Sequence, residues 1–192
     1  MLKKQICSLW LAAAVLLGSA VGAAAEEDRV VAVMAGDLEV NAAAVVVMDA
    51  DSGRVLYAQN PDRQLANAST TKMMTALLTL EQPDRDTYFT VDSDAIRVEG
   101  TTMGLQEGDS VTLNQLAAGM LLPSGNDAAG AAAVEIAGSQ EAFVEMMNAR
   151  AAELGLENTH YKNPSGLDEA GHYSSARDLA LLAAEALQNP DF

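Results

Sequence analysis

Ser69-Thr70-Thr71-Lys72 is the single S-x-x-K of this chain. A helix beginning at Ser69 lays the lysine one turn on over the same face, where its amine can approach the hydroxyl. A serine hydroxyl is a poor nucleophile until a base takes its proton, and a lysine whose pKa is lowered by burial is such a base. The helix N-terminus also favours the negative charge that develops on the oxygen. The same spacing fits an N-cap serine followed by a surface lysine, and the motif alone leaves both readings open. Ser124-Gly125-Asn126 is a second candidate, directly behind Pro123. There a hydroxyl can relay a proton and an amide can hold a substrate carbonyl or the lysine, although Pro-Ser-Gly-Asn is also ordinary turn chemistry. His160 and His172 are too far apart for a local ligand pair and have no H-E-x-x-H or cysteine partner. No metal and no cofactor is expected.

These groups need elements to hold them. Residues 42 to 48 and 54 to 58 are apolar, β-branched runs around Asp49-Ala50-Asp51-Ser52-Gly53, which predicts a hairpin. Two strands alone are marginal in water, and most of the remaining chain reads as helix, so the expectation is an incomplete sheet. Helical periodicity starts near Ser69, places Met73, Ala76, Leu77 and Leu80 on one face, and stops before Pro83. A loop-rich stretch with short strands is expected from 84 to 110. Thr112 and Gln115 form a capping-box pattern for a helix that carries Leu113, Leu116, Ala117, Met120 and Leu121 and halts at Pro123. An alanine-rich helix is expected from 127 to 137 with Gly138 as terminator, and another from 140 to 154 with Gly155 behind it, burying Phe143, Met146, Met147 and Leu154. The last, from 175 to 187, buries Leu179, Leu182, Ala183 and Ala186. Asp178 fits a capping role or a pair with Arg177. No internal repeat is found.

Composition limits the partners. With 27 acidic against 11 basic residues and a formal net charge of -16, the 192-residue chain would repel a polyanion, and nucleic acid is not expected to bind. Hydrophobic residues at 49% are enough for a real core, and the length suits one domain or most of one. Lys3 and Lys4 precede an apolar run from about Leu9 to Val21 that closes on Gly22-Ala23-Ala24-Ala25. This is the plan of a secretory signal peptide over residues 1–25, cleaved after Ala25, and the run is short for a spanning anchor. The sole cysteine, Cys7, leaves with it. The exported remainder would contain no thiol and no disulfide, which excludes thiol catalysis and leaves stability to the core.

Both motifs together, in this order and on these elements, match the S-x-x-K and S-x-N parts of the penicillin-recognising serine enzymes. Ala68–Glu81 (ASTTKMMTALLTLE), Leu122–Ala129 (LPSGNDAA) and Asn163–Ala180 (NPSGLDEAGHYSSARDLA) resemble the D-alanyl-D-alanine carboxypeptidases, the low-molecular-weight penicillin-binding proteins. The resemblance runs from about Ala42 to the end, and DSGRVLYAQN fits the opening hairpin of that family. It implies an α/β fold of the DD-peptidase and β-lactamase type, with a helical cluster packed on an antiparallel sheet. It further implies Ser69 as acylated nucleophile, Lys72 as general base, Ser124 as proton relay, Asn126 as positioner of substrate and lysine, and the Ser69 N–H as an oxyanion donor. The implied activity is removal of the terminal D-alanine from peptidoglycan stem peptides through an acyl-serine. β-Lactams are the implied inhibitors, and the setting is outside the cytoplasm.

The third family motif, K-T-G, does not occur before Phe192, and Lys162 is followed by Asn163. In the family that strand supplies a second oxyanion donor and a cation for the substrate carboxylate. Residues 26–192 are therefore expected to be the N-terminal part of the catalytic domain, with any membrane association residing in a C-terminal region beyond them. Asn67 stands where the family often has proline or a small residue. His172 lies in the H-Y-S-S-A-R-D segment, read as a structural joint feeding a capped helix. The rivals are a non-catalytic member that keeps the helical half, and a β-lactamase, which shares the first two motifs but needs a water-activating carboxylate.

Overall fold

Val45–Met48 (β1) and Val55–Gln59 (β2) pair antiparallel in the computed structural model, which describes residues 40–192; the expected signal segment lies outside the described residues. Val45 faces Gln59 and Val47 faces Tyr57, and the register shifts at Met48, which faces Val55. The turn is closed by the side chain of Asp49, which accepts from the Ser52 amide at 2.9 Å, and by Gly53 at φ 69°. Phe89–Thr90 (β3) and Ser110–Val111 (β4) form a second two-stranded antiparallel sheet, the short strands expected in the loop-rich stretch.

A 3-10 turn over Ala68–Thr71 runs directly into the α-helix Lys72–Leu80 (α1). Leu113–Leu121 (α2), Asn126–Ala137 (α3), Gln140–Glu153 (α4) and Ala176–Ala186 (α5) come next along the chain. The capping box of α2 forms as the sequence predicts, with Thr112 Oγ1 accepting from the Gln115 amide and Gln115 Oε1 from the Thr112 amide. Gly138 ends α3 in the left-handed region, at φ 79°.

The hydrophobic pattern predicts one buried stripe on α1. Instead α1 contacts all four other helices, and every residue from Met74 to Leu80 is buried. A helix surrounded in this way must satisfy its polar groups internally. Thr75 donates to the Pro164 carbonyl at 2.7 Å and Thr79 to the Thr75 carbonyl at 2.7 Å. On one side of α1 lies a core of Met74, Leu77, Phe143, Met147, Tyr161 and Leu182 among others, and a second core gathers Val91, Val111, Leu116, Met120 and the alanines of α3. Those alanines, with Gly130, let α3 come close to its neighbours. A Cβ on Gly130 would meet the Ala95 carbonyl oxygen at 2.2 Å. α5 packs against both α1 and β1.

Four expectations change. Leu121, placed by periodicity on the inner face of α2 and standing at that helix's last residue, is exposed. Met146 and Leu154 are only half-buried, because the inner face of α4 is set by Phe143, Met147 and Ala151. Leu179 and Ala183 are likewise half-buried, Leu182 and Ala186 being the residues of α5 turned fully inward. Asp178 neither caps α5 nor pairs with Arg177. Ser175 is the cap, accepting from the Asp178 amide at 3.2 Å, and Arg177 pairs with Asp62. The buried Asp178 carboxylate accepts from the Asn158 amide and the Thr159 hydroxyl, each at 2.7 Å.

Candidate active site

The 3-10 turn sets the geometry of the first motif. Ala68 has φ 44°, and the backbone then curls so that the Thr70 amide donates to the Asn67 carbonyl at 3.1 Å. Side chains three apart nearly eclipse in a 3-10 turn, which brings Ser69 and Lys72 onto one line. Ser69 is exposed, while Lys72 is only 2% exposed and its Nζ lies 3.2 Å from Ser69 Oγ. The surface-lysine reading is thereby excluded. So is the N-cap reading, because Asn67 occupies the cap position of the turn.

The second partner of Lys72 is a main-chain atom. Nζ donates to the Ser165 carbonyl oxygen at 2.7 Å, and among the described residues it makes no ion pair. Burial pushes the Lys72 pKa down from its ordinary value. A neutral amine held by that carbonyl keeps a lone pair for the Ser69 proton, which is what a general base requires. The carbonyl is held in turn by its loop. Asn163 Oδ1 accepts from the Gly166 amide at 2.8 Å and from Ser165 Oγ at 3.2 Å, and Thr75 fastens the Pro164 carbonyl. Gly166, at φ 85°, lies so near the nucleophile turn that a Cβ on it would sit 1.9 Å from the Ala68 carbonyl oxygen. Reading side chains finds no trace of the Ser165 carbonyl, since every residue has one.

The second motif opens α3. Ser124 is in the left-handed region at φ 62°, half-buried, and its hydroxyl makes no hydrogen bond among the described residues. Asn126 is buried and donates to the Glu99 carbonyl at 2.6 Å, while its amide donates to the Thr101 carbonyl at 2.7 Å. Among the described residues no hydrogen bond joins Asn126 to Lys72, whose Nζ is taken up by Ser69 and the Ser165 carbonyl. The Glu99 carbonyl takes one side-chain N–H and the Thr101 carbonyl the main-chain N–H, both immediately upstream of the loop at 103–105. Asp127, which the sequence reading passed over, is 2% exposed and holds that loop. Its Oδ1 accepts from the Met103 amide at 2.8 Å, and its Oδ2 from the Gly104 and Leu105 amides at 2.9 Å each. An acidic residue in the first turn of a helix was its only sequence signal.

An exposed serine beside a buried lysine, with a Ser-Gly-Asn turn opening a neighbouring helix in a helical cluster edged by antiparallel strands, defines the penicillin-binding and DD-peptidase class of fold. The family model described as D-alanyl-D-alanine carboxypeptidase matches residues 30–191, and the chain belongs to that family. It is similar to D-alanyl-D-alanine carboxypeptidase DacF of Bacillus subtilis, 40% identical over 190 residues, covering 96% of this chain and 48% of that protein. Among solved structures it resembles the D-alanyl-D-alanine carboxypeptidase DacD from Francisella tularensis, with TM-score 0.77 and 35% identity over 80% of this chain and 38% of the other. Penicillin binding protein 6B from Escherichia coli superposes with TM-score 0.76 and 38% identity, over 81% of this chain and 52% of that one. The chain spans about half the length of the curated relatives it matches, or less.

Proposed function

We propose that this chain carries the nucleophile half of a serine-type D-alanyl-D-alanine carboxypeptidase that removes the terminal D-alanine from peptidoglycan stem peptides. The observation that carries the reading is the buried Lys72 amine, 3.2 Å from Ser69 Oγ and anchored on a neutral carbonyl at 2.7 Å. In the proposed step Lys72 takes the Ser69 proton and Oγ attacks the carbonyl of the terminal peptide bond. The developing oxyanion is met by the Ser69 N–H. As the C–N bond breaks, the proton returns through the Ser124 hydroxyl to the departing amine of D-alanine, and water then hydrolyses the acyl-serine. Asn126 serves the substrate side of the cleft. β-Lactams would acylate the same oxygen, a reading supported by the likeness to penicillin binding protein 6B. Residues 1–25 act in this proposal as the export signal and residues 26–192 as the first part of the catalytic domain, working outside the cytoplasm.

The test is labelling of the mature chain with a fluorescent penicillin, followed by mass spectrometry of the peptide containing Ser69. Acylation at Ser69 that vanishes in Ser69→Ala is the expected result. A chain that circular dichroism shows to be folded, yet that takes no label, refutes acyl transfer by these residues and favours a non-catalytic role.

A further inference from the structure

His172 lies far from Ser69 in sequence, yet it touches the same turn. The ring is 5% exposed and meets the Tyr161 ring edge-on, centroids 5.8 Å apart. Its Nε2 lies 2.8 Å from Thr71 Oγ1, across 101 residues of chain, and its Nδ1 is 3.1 Å from the Lys162 amide. A threonine hydroxyl against an imidazole suggests a second nucleophile and its base. The other ring nitrogen excludes that. A backbone N–H can only donate, so Nδ1 must present its lone pair to Lys162, and the proton of the neutral ring sits on Nε2. Nε2–H then donates to Thr71, and no lone pair is left there to accept a proton from it.

Thr71 Oγ1 also accepts from Asn67 Nδ2 at 2.9 Å. Two donors therefore fill the hydroxyl's two lone pairs, and Asn67 and Thr71, the ends of one of those bonds, bracket Ser69. Thr71 directly precedes Lys72. Lys162, the other partner of the ring, directly precedes the 163–166 loop that supplies the lysine's carbonyl. The imidazole thus spans the two pieces whose separation sets where the Lys72 amine lies. Protonation would set Nδ1–H against the Lys162 N–H, two donors face to face, and burial holds the His172 pKa below its ordinary value. Of the titratable groups around the ring, Glu169 and Asp168 favour its charged form and His160 opposes it.

We infer that His172 is a positioning residue for the acyl transfer: as the Nε2–H tautomer it ties the nucleophile turn to the Ser165 loop and so holds the Lys72 amine at Ser69. Its catalytic consequence rests on the acyl-transfer reading above, whereas the tie itself does not. Two variants of the full chain separate its parts. His172→Leu fills space without bonding, and His172→Gln keeps an amide N–H for Thr71. Three readouts apply: 15N shifts of the wild-type imidazole, the NMR titration midpoint of the Lys72 amine, and the rate constant for acylation by a fluorescent penicillin.

The wild-type ring should show a protonated Nε2 and a bare Nδ1. A loosened loop admits water, so in His172→Leu the Lys72 midpoint should rise toward its ordinary value, and acylation should slow on the order of 100-fold, as expected for an ångström-scale displacement of a reacting group. His172→Gln should restore the midpoint and most of the rate. An Nδ1–H tautomer in the wild type overturns the inference. So does a folded His172→Leu whose Lys72 midpoint stays at the wild-type value. If His172→Leu does not fold, the tautomer and the Gln variant decide: a Gln midpoint displaced as far as that of an unfolded lysine refutes the Thr71 tie. Absence of acylation in the wild type, with the tautomer and midpoints as expected, would sink the acyl-transfer reading and leave the tie standing.

Discussion

Replacing Asp127 by alanine removes one buried carboxylate and leaves the Met103, Gly104 and Leu105 amides without their acceptor. A hydrogen bond to a charged group contributes about 1.5–3 kcal/mol, and three simple additions overshoot because the released loop regains entropy and reaches water. Leaving a buried donor unsatisfied costs about 1–3 kcal/mol, and with three amides of which some reach water about 4 kcal/mol is expected here. Against a total stability of about 5–15 kcal/mol that is a large fraction. Asp127→Asn keeps one acceptor oxygen but aims an NH2 at the remaining amides, and it should recover less than half of the loss. Urea denaturation measures the change, and hydrogen exchange at residues 103–105 locates it. The Thr101 carbonyl that holds the Asn126 amide lies two residues upstream, so penicillin labelling should slow as well. A loss below about 1 kcal/mol in Asp127→Ala, with the three amides still protected, would refute the clamp.

Gly166→Ala puts a Cβ 1.9 Å from the Ala68 carbonyl at a backbone φ of 85°. Left-handed backbone alone costs about 1–2 kcal/mol for an alanine, and since the obstructing atom is backbone beside Ser69, labelling should fail before global unfolding does; a variant that labels at the wild-type rate contradicts the packing. Lys72→Met tests burial through pH. The folded pKa of Lys72 is lowered, so between that value and 10.5 the unfolded chain binds a proton that the folded chain does not, and wild-type stability rises with pH across this window. Methionine cannot titrate, so the stability difference between the variant and wild type should move in favour of wild type as pH rises across that window toward 10.5. Urea titrations that find the difference independent of pH would overturn the burial argument.

Much of the local structure was legible because its causes are local. Thr112 and Gln115 cap α2 whatever surrounds them, and Gly138 ends α3 because the left-handed conformation there disfavours other residues. The Ser69–Lys72 spacing and the Ser124–Asn126 turn are likewise properties of neighbouring residues, so the chain announces both motifs and, with them, the family. The solvation of each group was not legible. Periodicity gave α1 a single stripe, since it cannot count the layers packed around a helix, and α1 has helices on every side.

That packing decides the chemistry. Sequence by itself determined which side chains stand three apart on one turn and where the helices begin and end. Only the tertiary structure buried Lys72, because its desolvation depends on residues some ninety positions away closing over it, with the Ser165 carbonyl as its acceptor. The same holds for Asp127 and His172. Their partners are backbone groups and a threonine hydroxyl, chemically common along any chain, and only folding brings these particular ones within hydrogen-bond reach of a buried charge or ring.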